Sequence, residues 1–244
     1  MDLSIIITTF NYERYIENCI SSCLNQIDHE LTYEIIVVDD GSIDNTANIL
    51  DNICDEKIRV FKINNSGIEK SSNFGISRSH GKYIVRVDAD DSLRPSFING
   101  IQRHLGRGYA FVYSDYNIIN SAGELIKEVK LPKFKRKEIF QRGDFLATGT
   151  VYDTKFIDKN YFYTCNKMNS GLENYELILK LLCKNFTGFH IPLNLFDYRR
   201  HSQNLSSLKR KKIIANGKAL FLKEGWGTFK TNKYHPYGLK VSDK

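Results

Sequence analysis

In this 244-residue chain, the side chains best spaced to do chemistry gather first in Gly81-Lys82-Tyr83-Ile84-Val85-Arg86-Val87-Asp88-Ala89-Asp90-Asp91. Tyr83 to Val87 has the β-branched and aromatic bias of a buried strand, and three carboxylates begin where it ends. Open α/β sheets bind their ligands at this end of their strands. Asp88 and Asp90 flank one small residue, so both can reach a single hard divalent cation or a ribose hydroxyl. Carboxylates packed this closely repel one another unless something cationic sits between them. A turn or helix cap would use the same residue type, so the surrounding elements have to decide.

Those elements repeat. Leu3 to Thr9 is a continuous β-branched run, as expected for a strand covered on both faces, and it breaks at Phe10-Asn11-Tyr12. A helix follows, with Tyr15, Ile16, Cys19, Ile20, Cys23 and Leu24 on one side and Asn11 as its expected N-cap. Tyr33 to Val38 is a second strand ending in Asp39-Asp40-Gly41-Ser42, after which Asp44 can cap a helix through Ala47, Leu50 and Ile53. Ile58 to Ile63 is a third strand, and a helix through Asn73, Phe74 and Ile76 leads to the Gly81 turn. Four strand–helix alternations with short connections predict a doubly wound parallel sheet. Right-handed crossovers then bring Thr8 to Asn11, Asp39-Asp40 and Asp88 to Asp91 to one crevice.

The second half is less regular. Pro95 to Leu105 reads as a helix, Tyr109 to Tyr113 as a strand, and Ile118 to Val129 as a hairpin about a Ser-Ala-Gly turn. Lys130 to Lys137 reads as an exposed basic linker, Thr148 to Tyr152 as a strand, Tyr175 to Lys184 as a helix and Phe189 to Tyr198 as extended. A closing helix is expected from Ser206 or Ser207 to about Glu224, basic at its start and apolar further on. Its apolar side fits the core, with an anionic membrane surface as the other use of such a helix. The last 20 residues, with Trp226, Tyr234 and Tyr237, carry no readable pattern.

Composition sets the outer bounds. At 41% hydrophobic the chain can bury one sizeable core. No apolar run approaches the roughly 20 residues that span a bilayer, and Met1-Asp2-Leu3-Ser4 runs straight into a strand, so no signal peptide is expected. Five cysteines without CxxC spacing fit a reducing, cytoplasmic setting. Residues 1–129 hold 12 Lys/Arg against 19 Asp/Glu, a balance of −7; residues 130–244 hold 23 against 9, or +14. A basic second half suits anionic partners. Nucleic acid is the disfavoured one, because the expected crevice is acidic and would repel a phosphate backbone.

Thr8-Thr9-Phe10-Asn11, Val37-Val38-Asp39-Asp40-Gly41-Ser42, the Asn73 segment and Gly81 through Asp91, in this order and spacing, resemble family-2 glycosyltransferases of the GT-A fold. The resemblance is close over residues 3–115 and looser over 140–205. It implies a Rossmann-like, mostly parallel sheet with helices on both faces, a smaller acceptor-side region and a C-terminal helix. The implied organisation is 1–205 as the GT-A domain, with 1–115 binding nucleotide and 116–205 binding acceptor, and 206–244 as a helical extension. The implied reaction is inverting transfer of a sugar from a nucleotide diphosphate donor, usually a UDP-sugar, to a hydroxyl of a glycan or lipid-linked acceptor. Mn²⁺ or Mg²⁺ would assist, with the enzyme cytoplasmic or peripheral on the inner face of the membrane. By the same resemblance Thr8 and Phe10 lie against base and ribose, Asp40 accepts from the uracil N–H, Asn73 lines the pocket, Asp88 holds ribose or metal, and Asp90 binds metal.

The chain departs from the family at the general base. The family carries Glu-Asp at the start of a helix, and the Asp is the usual base; here the stretch is Ser170-Gly171-Leu172-Glu173-Asn174-Tyr175-Glu176. A neutral amide takes no proton, so Glu173 is the substitute, Glu176 the runner-up, and a weakly active or non-catalytic sugar-nucleotide binder the alternative. Ser170 and Glu173 also fit a capping box, and Glu176 can pair with Lys180. Tyr198-Arg199-Arg200-His201-Ser202-Gln203-Asn204-Leu205-Ser206 resembles a family segment that folds over the donor. There Arg199 and Arg200 would neutralise the diphosphate and His201 would ligate metal or phosphate.

Overall fold

The computed structural model describes residues 1–143, 146, 148–159, 162–164, 169–204 and 208–231. Four strands, β1 (Leu3–Thr9), β2 (Tyr33–Asp39), β3 (Ile58–Lys62) and β4 (Tyr83–Asp88), run parallel in the order β3-β2-β1-β4. The crossovers carry α1 (Ile16–Leu24), α2 (Thr46–Asp51) and α3 (Ile68–Ser77). Every residue of β1 and β2 is buried, which is why both strands read as unbroken apolar runs. Alternate side chains serve opposite faces. Ile6, Ile36 and Val38 join Ile76 of α3 in one core, while Ile5, Ile7, Ile35 and Val37 join Ile16, Cys19 and Ile20 of α1 in the other.

Beyond β4 the chain adds β5 (Ser92–Leu93), α4 (Phe97–Gln102), β6 (Phe111–Ile119), β7 (Leu125–Val129), α5 (Arg136–Arg142), β8 (Val151–Asp153), α6 (Glu173–Cys183), β9 (Gly188–Arg199) and α7 (Arg210–Glu224). The short β8 lies antiparallel between β4 and β6, and so joins the second half to the parallel sheet. β9 runs parallel along β6, and β5 closes the far edge on β9.

Local details differ from the sequence reading. Asn11 does not cap α1: it sits at φ 60° and accepts from the Ile43 N–H, and the helix starts after a turn in which Tyr15 and Ile16 both donate to the Tyr12 carbonyl. Asp44 does accept from the Thr46 N–H (2.9 Å), although Asn45 holds the cap position. The strand expected at Tyr109 and the first arm of the hairpin are one long strand, β6, because β9 pairs along all of it. The basic linker ends early, at Lys135, where α5 begins. Ser170 and Glu173 form no capping box: Leu172 is the N-cap, and the Glu173 side chain is drawn off to Arg86.

α7 buries Ile213, Gly217 and Phe221, a stripe at four-residue spacing, with the Phe221 ring 6.1 Å from that of Tyr175 in α6. Gly171, just before α6, holds φ 69°, and a Cβ there would lie 2.7 Å from Ile213 Cγ1. Only glycine lets α7 approach the start of α6 this closely. The expected start of this helix at Ser206 or Ser207 falls outside the described residues, as do Cys165, Tyr234 and Tyr237. No described helix is long and apolar enough to cross a membrane.

Candidate active site

Thr8 of β1 stands in register with Asp88 of β4 on one side, and Thr9 with Asp39 of β2 on the other. Three strand ends therefore share one edge, which opens into a cavity of about 770 Å³. Its wall includes Thr8, Phe10, Tyr12, Asp40, Asn65, Arg86, Asp88, Asp90, Thr148, Glu173, Asn174, Asn204 and Lys209.

Asp40 is buried and already serves the fold. It accepts from the Ser66 N–H (2.8 Å), the Ser66 hydroxyl (2.9 Å) and the Gly67 N–H (2.9 Å). A carboxylate has about four lone-pair sites, so one is left for a ligand. These bonds also fix the start of α3, whose Asn73 does not line the cavity. Its amide exchanges two hydrogen bonds of 2.8 Å with the backbone of Tyr163 and clamps that segment.

The acids after β4 are held in three ways. Asp88 Oδ1 lies 3.3 Å from Arg86 Nε, and the Asp88 N–H donates to the Thr148 hydroxyl. Asp90 Oδ2 meets His201 Nε2 at 2.8 Å and accepts from the Asn204 amide at 3.1 Å. Asp91 turns away from the cavity and accepts from the Arg199 N–H. Burial pushes the Asp88 carboxyl above its ordinary 3.8; Arg86 opposes the shift, and Asp90 and Glu173 add to it. Burial also holds Asp91 well above that value, with the Asp90 and Asp88 charges reinforcing it. Tyr12 feels the same field: burial first, then Asp90 and Asp88, keep its phenol protonated.

Arg199 and Arg200 are not on the cavity wall. Arg199 donates to the Asp90 carbonyl (2.8 Å), to the Asn18 amide oxygen (3.1 Å) and to the Asn120 carbonyl (3.2 Å), so it pins the acid turn to β9 and α1. The Arg200 N–H continues the backbone ladder to Ile119. His201 stacks near Tyr15, with ring centroids 5.1 Å apart, which aims its Nε2 at Asp90.

Glu173 and Asn174 both reach the cavity, with different consequences. The Asn174 amide accepts from the Tyr152 hydroxyl and donates to the Leu146 carbonyl, so both its ends are used. Glu173 Oε1 takes a 2.9 Å bond from Arg86 Nη1, and its buried Oε2 has no hydrogen-bond partner among the described residues. Arg86 keeps its charge against burial because Asp88 and Glu173 flank it. Glu176 faces elsewhere, bonded to Lys180 (2.6 Å) and Thr164 (2.8 Å). Sequence reasoning missed Arg86, Thr148, Asn204 and Lys209. Arg86 had a signal, a cation inside an apolar strand; the others come from turns and a distant helix that no local pattern announces.

The family model for glycosyl transferase family 2 matches residues 4–165. The chain belongs to this family. Around this glycosyltransferase stand a GalNAc(5)-diNAcBac-PP-undecaprenol beta-1,3-glucosyltransferase of Campylobacter jejuni, 31% identical over 214 residues (86% of this chain, 68% of that protein), and a hyaluronan synthase of Pasteurella multocida, 28% identical over 218 residues (85% of this chain). The chain spans 21% of the length of that Pasteurella relative. Among solved structures it superposes on S. aureus TarS 1-349 in complex with UDP-GlcNAc, with a TM-score of 0.71 at 17% identity, over 91% of this chain and 66% of that one. It also matches a mannosyltransferase from Pyrobaculum calidifontis in complex with GDP-Man and Mn2+, with a TM-score of 0.71 at 14% identity, over 96% and 67%. The glycosyltransferase therefore has the GT-A fold.

The Arg86–Glu173 pair makes a prediction about stability. Removing one partner of a buried ion pair strands the other, at a cost of about 3–5 kcal/mol. Arg86→Met should lower the urea midpoint by that equivalent, and adding Glu173→Gln to Arg86→Met should recover part of the loss. Strictly additive single and double variants would show that the pair is not coupled.

Proposed function

We propose that this glycosyltransferase moves a sugar from a UDP-sugar to a hydroxyl of a glycan or lipid-linked acceptor, with inversion and with help from a divalent cation. The observation that carries the reading is a set of three buried polar atoms at the cavity: Thr8 Oγ1, Thr9 Oγ1 and Glu173 Oε2 have no hydrogen-bond partner among the described residues, and beside them Asp88 Oδ1 meets only Arg86 Nε, at 3.3 Å. Buried polar atoms seldom stay unsatisfied, and those that face a cavity meet a ligand or an ordered water there.

The roles follow from position. Asp40 retains one acceptor site on the cavity wall, which suits a uracil N–H, with Thr8 and Phe10 on the same wall. Asp88 would hold the ribose or the metal. The residues present fit a cation: Asp90 would offer oxygen from the cavity wall, and His201 behind it would add a nitrogen by exchanging its Nε2 bond to Asp90 for the ion, a mixture that suits Mn²⁺. Among the described residues no three His, Cys, Asp or Glu side chains converge as a ready-made metal site. Diphosphate oxygens would complete the shell, as is usual for such ions. When bound, the ion would neutralise charge on the departing diphosphate. Glu173 is the proposed base: Arg86 donates to its Oε1, which leaves Oε2 to take the acceptor proton.

The solved relatives were captured with UDP-GlcNAc and with GDP-Man and Mn2+, and the Campylobacter relative is named for an undecaprenol-linked acceptor. The outward side of α7 supports peripheral contact with an anionic membrane, where such an acceptor would lie. Leu222 is 83% exposed there, in line with exposed Ala215 and Ala219, and Lys211, Lys218, Lys212 and Lys223 flank the line.

Three outcomes check these proposals. In thermal-shift assays UDP-sugars should raise the melting temperature more with Mn²⁺ than without, and Asp90→Ala should erase the metal increment; an increment that survives removes Asp90 from the metal site. Glu173→Gln should spare donor binding and slow transfer by about 100-fold or more, whereas full activity would assign the base elsewhere. The chain should sediment with anionic vesicles but not with neutral ones, and a Lys211→Glu/Lys218→Glu variant should not; equal sedimentation with both lipids, or with neither, would exclude the electrostatic contact.

A further inference from the structure

The cavity is strongly acidic, yet the donor proposed for it is an anion. Asp40, Asp88, Asp90 and Glu173 all line it. Its described wall holds two cations, Arg86 and Lys209. Arg86 is consumed by its bonds to Asp88 and Glu173. Arg199 spends its guanidinium on backbone and amide oxygens of the fold, and neither it nor Arg200 reaches the wall.

Lys209 is different. It is half-buried on the cavity wall, and among the described residues its ammonium makes no ion pair. It is also held in place. Its carbonyl accepts from the Ile213 N–H (2.9 Å) at the start of α7, and Ile213 is seated against Gly171, two residues before Glu173. The first turn of α7 carries no acid that would compete for the ammonium.

We infer that Lys209 is the diphosphate-binding cation of this site: its ammonium is the positive charge on the cavity wall left over for the phosphates of a nucleoside diphosphate donor. The inference rests on the proposed donor class and adds to it the residue that holds the leaving group. It also gives α7 a part in the site. The helix carries the cation, and its Ile213 stripe sets where that cation stands.

Calorimetric titration of UDP, in Mn²⁺, into the full chain and three variants tests it. Lys209→Met should weaken UDP by about tenfold or more, the change expected of one charge-assisted hydrogen bond. Lys209→Arg should restore most of the affinity, and Lys211→Met, with a charge lost on the exposed face of the same helix, should change little. All three should melt within a degree or so of the wild type, since none removes a packed group. Unchanged UDP affinity in Lys209→Met, or an equal loss in Lys211→Met, would overturn the assignment. A wild type that binds neither UDP nor GDP fails at an earlier step: it refutes the donor reading, and this assignment with it.

Discussion

Repulsion among carboxylates governs the end of β4. Asp88, Asp90 and Asp91 leave the strand within four residues, and burial makes their mutual charge costly enough to raise Asp88 and Asp91. The fold answers with counter-groups both near and far along the chain. Arg86 comes from the same strand, His201 and Asn204 from the segment after β9, and the Arg199 backbone from the end of β9. A parallel sheet makes this possible, since its strand ends and helix starts all face one edge. Two shared apolar cores and β8 join the second half of the chain to the parallel sheet, and these polar contacts tether it at that edge.

Such an arrangement is poor for stability and good for binding. Acids held together by neighbours rather than by solvent are ready to accept a cation, and unsatisfied atoms beside them accept hydroxyls and N–H groups at little cost in reorganisation. Asp40 illustrates the compromise. Three of its acceptor sites anchor the start of α3 and one faces the cavity, so the residue that would read the base is also the one that holds the loop in place.

Much of the parallel half was legible in the sequence because its signals are local. Continuous β-branched runs, a 3.6-residue stripe in α1 and acids at strand ends need only a few neighbouring residues to be read. What escaped depended on contacts between distant residues. Asn73 looked like a pocket residue until its amide met Tyr163, 90 positions on. Arg199 looked like a phosphate ligand, but a bond to Asn18, 181 residues away, turns it inward. Ser170 and Glu173 had the spacing of a capping box, and an arginine 87 residues upstream outcompeted the helix N–H groups for the carboxylate. In that last case a local capping preference worth about 1 kcal/mol gave way to a tertiary partner supplied by β4.

In the proposed reaction the acid edge holds a divalent ion against a nucleoside diphosphate. Anomalous diffraction at the manganese edge, from crystals soaked with Mn²⁺ and UDP, measures this directly. The account predicts one strong peak in contact with Asp90, His201 and both phosphates, with the uracil at Asp40. Bound UDP with no anomalous peak at the end of β4, or a peak ligated by other residues, would contradict it.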